Sequence, residues 1–168
     1  MVVATAENVG TSYSYDRMLQ AREKAWGALR DIASRIEPGM ADADAAAMAG
    51  ERLHAAGMQR IWHPSIVRFG ANTLKTFRQR SEPGAILAES DIFFIDLGPV
   101  FDGHEGDVGD TFVVGDDKDM HACAAAAREL FERSAARWRA GIDGVALYEP
   151  ARPEAGSLGC GRHHAIKG

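Results

Sequence analysis

The sequence has few of the features that mark secreted, membrane-spanning or nucleic-acid-binding proteins. Its two cysteines, Cys123 and Cys160, lie far apart in an alanine-rich and a glycine-rich segment, so we expect free thiols and no zinc knuckle. No run approaches the roughly 20 apolar residues of a membrane span, and residues 1–10 lack a basic segment followed by an apolar one. With a net charge of −5 and no dense basic run, nucleic acid is not an expected partner. These absences predict a cytoplasmic protein that contacts neither nucleic acid nor membrane.

The composition is that of a globular chain with one core. Of 168 residues, 46% are hydrophobic and 26% are charged. A chain of this length buries about 70% of the surface that its unfolded form exposes, so it does not need a metal merely to fold. We expect a flexible N-terminus over residues 1–14 and a single domain over residues 15–168. Any metal site must therefore be argued from chemistry.

Hydrophobic periodicity predicts two helices, then strands, then a third helix. Asp16 is a plausible cap for the first helix, and the Asp102-Gly103 pair predicts a hairpin that makes the flanking strands antiparallel neighbours. Pro150 and Pro153 make the segment after Gly141 locally inconsistent with a helix. The predicted helices span residues 15–36, 42–56 and 117–138, and the predicted strands span residues 61–69, 91–96 and 108–114.

Two aspartates carry the chemistry of the predicted hairpin. Asp96 ends a buried strand and Asp107 begins its partner, so the two side chains can share one face, about 5 to 8 Å apart. Two ionised carboxylates in one pocket repel each other unless one is protonated or a cation lies between them. A divalent metal would resolve the repulsion. The alternative is that both residues merely end strands at the surface.

These residues also carry a resemblance to a known family. The segments around Asp96 and Asp107 resemble the metal-binding hairpin of the pita-bread metallopeptidases, which include methionine aminopeptidase, aminopeptidase P, prolidase and creatinase. The chain is most similar to the aminopeptidase P and prolidase branch. The matching segments are residues 94–98, Gly103, residues 106–115, residues 37–40, residues 66–70 with Asn72, and residues 147–148.

The resemblance implies a fold, a reaction and a site. The implied fold is α+β, an antiparallel curved sheet with helices on one face. The implied site holds two divalent ions (manganese, cobalt, zinc or iron) that activate a bridging water, with Asp96 and Asp107 as the first two of five ligands and Asp107 bridging. The implied reaction is hydrolysis of a peptide bond near an N-terminus, of the Xaa-Pro aminopeptidase or dipeptidase type, on a peptide substrate. The sequence does not identify the catalytic proton carriers.

By the resemblance, the remaining ligands of the family, a histidine and two glutamates, would fall downstream of Gly168. We therefore expect an incomplete member of the fold whose C-terminal part is missing and which is weakly active or inactive alone. The alternative function is a catalytically silent peptide- or protein-binding module of the same fold. A second chain that completes the sheet is a further possibility, which makes a homodimer a candidate assembly. We expect His163 and His164 to be solvated tail residues rather than substitute ligands.

Other polar residues have weaker claims on the site. Thr76 and Phe77 occupy the stretch where the family usually has a substrate-binding histidine, and His63 is the nearest replacement, unless it is a satisfied structural histidine at a strand start. Asp110 stands where the family often has an arginine, and either favours a cation or is a solvated loop charge. The hairpin tip is acidic, but its residue order does not match a helix-flanked calcium loop. His54 and His121 are expected to be exposed on helices.

Overall fold

A computed structural model describes residues 10–158, which form four α-helices, a short 3-10 helix and four strands. None of the helices in that range combines the length and hydrophobicity that crossing a bilayer requires. The helices are α1 (Tyr15–Ala33), α2 (Asp42–Ala55), α3 (Lys118–Arg139) and α4 (Gly144–Ser157), the 3-10 helix spans Gly70–Leu74, and the strands are β1 (Arg60–Phe69), β2 (Asp91–Phe101), β3 (His104–Glu105) and β4 (Val108–Val114).

The first helix begins with a different cap from the one that the sequence suggested. The Ser14 side chain accepts a hydrogen bond from the backbone N–H of Arg17. Asp16 instead lies inside the first turn, where its negative charge interacts favourably with the positive end of the helix dipole. Asp16 was therefore the wrong choice of cap. The helix ends at Ala33 rather than near residue 36, because the next backbone N–H groups, of Arg35 and Ile36, bond to carbonyls only three residues back.

The central strand of the sheet is β2, which neighbours β1, β3 and β4. We predicted that this strand ends at Asp96, and that boundary was wrong, since β2 continues to Phe101. The added residues are apolar and buried, among them Leu97 and Val100, and their burial keeps the segment in the sheet. Strand β1 lies at one end of the strand order, which is where its Pro64 is tolerated, because an edge strand can spare a donor.

The predicted hairpin is confirmed in a shorter form. Asp102 and Gly103 have φ values of 51° and 75°, the left-handed conformation that a tight two-residue hairpin turn requires. The turn joins β2 to the two-residue strand β3, with Val100 opposite Glu105 in antiparallel register. Strand β4 has the predicted limits and pairs with β2 as well.

The chain divides into two compact units. The first unit comprises residues up to Ile36, residues 43–67 and residues 95–109, and the second comprises residues 37–42, residues 68–94 and residues from Asp110 onward. Buried apolar side chains form the core of each unit. In the first unit they include Ala25, Leu29, Ile32, Leu53, Leu97 and Phe101, and in the second they include Phe69, Leu87 and Phe93.

The last two helices lie in the second unit. Asp117 caps α3 by accepting hydrogen bonds from the backbone N–H groups of the first turn, at 2.9 Å. Helix α4 contains both Pro150 and Pro153, so the segment that we considered inconsistent with a helix is helical. The start of α4 is capped by Asp143, and an ion pair between Arg137 and Glu154 joins α4 to α3. These interactions offset the backbone hydrogen bonds that the two prolines cannot donate.

Candidate metal site

Three potential metal ligands meet in the first unit. The Nε2 atom of His63 lies 3.8 Å from one carboxylate oxygen of Asp96 and 3.8 Å from one of Asp107. One ligand atom from each residue lies within 4.8 Å of the others. The expectation that the two carboxylates lie close together on one side of the hairpin is confirmed. No other group of this kind occurs in residues 10–158.

Strand pleating directs Asp96 toward this group. Its neighbours Ile95 and Leu97 are buried, and successive side chains of a strand point to opposite faces, so the Asp96 carboxylate leaves the core face. Asp107 lies in the short link between β3 and β4. The preceding Gly106 is fixed on both sides, since its N–H donates to the Pro99 carbonyl at 2.7 Å and its own carbonyl accepts from the Trp62 indole at 2.8 Å. The link is therefore held at its first residue.

The backbone of the neighbouring strand makes room for His63. A Cβ atom built on Gly98 would lie 2.4 Å from Cδ2 and 2.6 Å from Nε2 of the imidazole, so the ring occupies the space of the missing side chain. The Nδ1 atom lies 2.9 Å from the carbonyl oxygen of Pro64, and Trp62 packs edge-on against the ring at a centroid distance of 4.4 Å. The ring is thereby held on three sides.

The two carboxylates differ in burial. The Asp96 side chain is 39% exposed and the Asp107 side chain is 68% exposed. Burial raises the pKa of Asp96 above its ordinary value, the nearby charge of Asp107 raises it further, and His63 acts in the opposite direction. Within residues 10–158, neither carboxylate accepts a hydrogen bond. A cation between the two carboxylates would offset their repulsion and would serve as a partner for the oxygens of both.

The donor set suits divalent transition-metal ions. Two carboxylates and one imidazole nitrogen are accepted by manganese, iron, cobalt and zinc, whereas calcium and magnesium prefer oxygen ligands alone. The residues present therefore fit a divalent transition metal.

The other candidate carboxylates each have a cationic partner in the structure. Asp110, in the second unit, accepts a hydrogen bond from Arg128 at 2.8 Å. Its charge is therefore compensated by an arginine. At the hairpin tip Asp102 pairs with Lys24 at 3.0 Å, and Glu105 pairs with Arg60 at 3.4 Å, so these carboxylates have cationic partners and form no calcium loop.

The remaining histidines of the described chain also have ordinary roles. His104 is buried, and its Nε2 accepts from the backbone N–H of Ser14 at 3.0 Å while its Nδ1 donates to the Asp102 carbonyl at 2.8 Å. His54 and His121 are exposed on helices, as expected. His163 and His164 lie outside the described residues.

A second polar group, in the second unit, was not singled out from the sequence. We call Asp42, Asn72 and Glu82 the asparagine cluster. Asn72 donates to the Asp42 carboxylate at 2.9 Å and to the Glu82 carbonyl at 3.1 Å, and it accepts from the Glu82 N–H at 2.8 Å. Both Asp42 and Asn72 are buried. The signal in the sequence was Asn72 itself, which belongs to the segment that resembles the family.

The fold is similar to those of solved peptidases. The chain superposes on the X-Pro aminopeptidase of Thermotoga maritima MSB8 with a TM-score of 0.71 and 20% identity, over 86% of this chain and 41% of that one. For the prolidase of Pyrococcus furiosus the TM-score is 0.71 at 19% identity, over 86% and 42% of the two chains. For a methionine aminopeptidase of Thermotoga maritima it is 0.60 at 20% identity, over 73% and 53%. The chain thus spans less than half the length of the first two, and it shares their antiparallel α+β pita-bread fold in part.

The sequence comparisons extend this result from fold to family. No curated protein sequence matches the chain. A family model does match, over residues 16–165, which is nearly the whole chain and includes both aspartates, and its description is metallopeptidase family M24. With the shared fold and the metal-compatible group of His63, Asp96 and Asp107, this match shows that the chain belongs to metallopeptidase family M24.

Proposed function

We propose that the chain carries part of the dinuclear metal site of a metal-dependent exopeptidase, which hydrolyses a peptide bond near the N-terminus of its substrate. Asp96 and Asp107 would hold the metal. The observation that carries the proposal is the placement of two carboxylates around one imidazole in a chain of this family. Solved structures with a similar fold include an X-Pro aminopeptidase and prolidases, and these support an Xaa-Pro substrate.

The chemistry divides between the ions and the chain. Two divalent ions, of manganese, cobalt, zinc or iron, would lower the pKa of a bound water and polarise the scissile carbonyl. The chain's own residues bind and orient. Asp96 contributes a partly desolvated carboxylate, whose charged form a cation would favour, and Asp107 contributes a more exposed one. His63, which we first interpreted as a substrate contact, faces the same space.

The described residues provide three ligand atoms, whereas the family resemblance implies five ligands for two ions. For this reason we expect weak peptidase activity from the 168-residue chain. The same observation supports the second candidate, a silent module that binds a peptide or a protein without cleaving it. We retain the cytoplasm as the expected location, because Cys123 is an exposed free thiol of the kind that reducing compartments preserve.

Metal analysis and peptide hydrolysis test the proposal together. The chain is loaded with Mn²⁺, Co²⁺ or Zn²⁺, freed of excess ion and assayed on Xaa-Pro peptides, with matched Xaa-Ala peptides as controls. We expect bound metal and slow, metal-dependent cleavage that favours the Xaa-Pro series, both lost in Asp96→Asn. Retention of peptides by a chain that holds no metal would instead establish the binding module.

A further inference from the structure

The contacts around the His63 ring fix it more firmly than a purely structural histidine on an edge strand requires. Its ring fills the space that a side chain at position 98 would occupy, and the edge of Trp62 packs against it. The indole of Trp62 is itself fixed by its hydrogen bond to the Gly106 carbonyl, one residue before Asp107. One hydrogen bond therefore fixes both the indole that packs against the imidazole and the residue that precedes Asp107.

The hydrogen bond at Nδ1 determines which ring nitrogen is available. A carbonyl oxygen only accepts, so the 2.9 Å contact with Pro64 places the proton of the neutral ring on Nδ1. The Nε2 atom then carries a lone pair, and that lone pair faces the group of carboxylates. Metal-binding histidines typically donate their other N–H to a carbonyl or a carboxylate in this way, which fixes the ring and its tautomer.

The distances around Nε2 do not fit direct hydrogen bonds. Charge-assisted N–H···O bonds between an imidazolium and a carboxylate are about 2.7 to 2.9 Å long. Here both carboxylate oxygens lie 3.8 Å away, at equal distances. Three acceptor atoms that surround a space without touching each other are the arrangement expected around a cation.

We propose that His63 is a metal ligand that donates through Nε2 to the ion held by Asp96 and Asp107. The inference rests on the proposed metal site but goes beyond it, because the family resemblance supplies its histidine ligand from a downstream segment and assigns none to this strand. It also replaces our expectation that His63 contacts the substrate. A nitrogen ligand would bias the site toward manganese, cobalt, zinc or iron and against calcium and magnesium.

Pulsed electron paramagnetic resonance of the Mn²⁺-loaded chain tests the ligand directly. Electron spin echo envelope modulation reports nitrogen bound to the ion and does not depend on catalysis. We expect nitrogen modulation in the wild-type chain and its loss in His63→Gln. The matched control is His54→Gln, an exposed histidine on α2, which should retain the signal. Calorimetric Mn²⁺ affinity should fall at least about tenfold in His63→Gln and stay unchanged in the control.

Gly98→Ala provides a second variant that keeps the imidazole. The added methyl group would displace the ring from its position beside the carboxylates, so nitrogen modulation should weaken although every ligand residue is present. Circular dichroism and thermal unfolding establish that each variant is folded before metal is added.

The outcomes separate this inference from the proposed function. Mn²⁺ binding without nitrogen modulation in the wild-type chain, or modulation that persists in His63→Gln, would overturn the role of His63 and leave the aspartate site in place. Wild-type affinity in Asp96→Asn would overturn the metal site itself, and with it this inference.

Discussion

The metal-site group (His63, Asp96 and Asp107) and the asparagine cluster both contain carboxylates, but their polar atoms have different partners. In the asparagine cluster, Asn72 donates to a carboxylate and a carbonyl and accepts from an N–H, all within 3.1 Å. In the metal-site group, the Asp96 and Asp107 carboxylates approach an imidazole only to 3.8 Å. Asp42 is buried, whereas the Asp96 and Asp107 side chains are 39% and 68% exposed.

The difference teaches how to distinguish a structural polar group from a ligand-binding one. Buried polar atoms are stable when each has a hydrogen-bond partner, and such a group needs nothing from outside the protein. Water can satisfy the oxygens of a partly exposed carboxylate, but it does not remove the repulsion between two neighbouring carboxylates as a cation does. The asparagine cluster therefore stabilises its unit by itself, whereas the metal-site group could hold a cation.

The largest expected effect is on metal affinity. Asp96→Asn keeps the shape of the side chain but removes a charged ligand, so we expect Mn²⁺ affinity to fall at least about 100-fold, or about 2.8 kcal/mol. The metal-free protein should not lose stability, because burial and the charge of Asp107 raise the pKa of Asp96 and thus disfavour its ionised form. Calorimetric titration and urea unfolding of the same preparation measure both. A large loss of stability in metal-free Asp96→Asn would show that Asp96 has a structural role.

Disruption of the asparagine cluster should have the opposite signature. Asn72→Ala leaves the buried Asp42 carboxylate and the Glu82 backbone without partners, which costs about 2 kcal/mol of unfolding free energy. Asn72→Asp should cost more, because it places a second carboxylate against Asp42. Metal affinity at the His63 group should not change. Urea denaturation measures the stability, and equal stability of the alanine variant and the wild type would contradict the structural role.

A smaller effect on stability is expected from the Trp62 indole, which packs against His63 and bonds to the backbone. Trp62→Phe loses the indole hydrogen bond to Gly106, so we expect about 1 kcal/mol less stability. The control Trp138→Phe changes an indole that is 67% exposed, and it should stay within about 0.5 kcal/mol of the wild type. Thermal unfolding of the two variants side by side measures the difference. Equal effects would show that the Trp62 contact contributes nothing to the fold.

The smallest effect concerns a surface ion pair that is fully satisfied. Hydrogen bonds from Arg35 and Arg52 lower the pKa of Asp31 below its ordinary value. A carboxylate whose pKa is lower in the folded state stabilises the protein above its unfolded pKa, and that contribution is lost as pH falls through the folded value. Asp31→Asn should therefore lower the unfolding temperature slightly at neutral pH and have no effect in strong acid. Asp44→Asn, at an exposed site on α2, is the control, and a difference that persists in strong acid would exclude the ion pair as its cause.

The sequence predicted most elements of the fold because their signals are local. The helix at Tyr15 and the strand over Val108–Val114 follow from the spacing of apolar residues, and the turn at Asp102-Gly103 follows from its dipeptide. The end of β2 was misjudged at Asp96, because a charged residue inside a strand looks like its boundary. Only burial of the following residues in the sheet shows that the strand continues.

The site could be predicted only in part. The spacing of Asp96 and Asp107 indicated two neighbouring carboxylates, and the hairpin brings them together. His63 precedes Asp96 by 33 positions, so its approach depends on which strand lies beside β2, and a single sequence does not contain that information. The absence of a side chain at Gly98 becomes meaningful only when the facing ring is known.

The tight turn at Asp102-Gly103 has a consequence for how this segment tolerates insertions and deletions. Because side chains alternate along β2, one residue added or removed between Asp96 and the turn would place the Asp96 carboxylate on the reverse side of the ribbon. A loop elsewhere in the chain can lengthen at a modest entropic cost. The distance in sequence between the two aspartates is therefore a stricter requirement than the identity of most residues between them, and protein engineers who graft this ribbon should transfer it with its length intact.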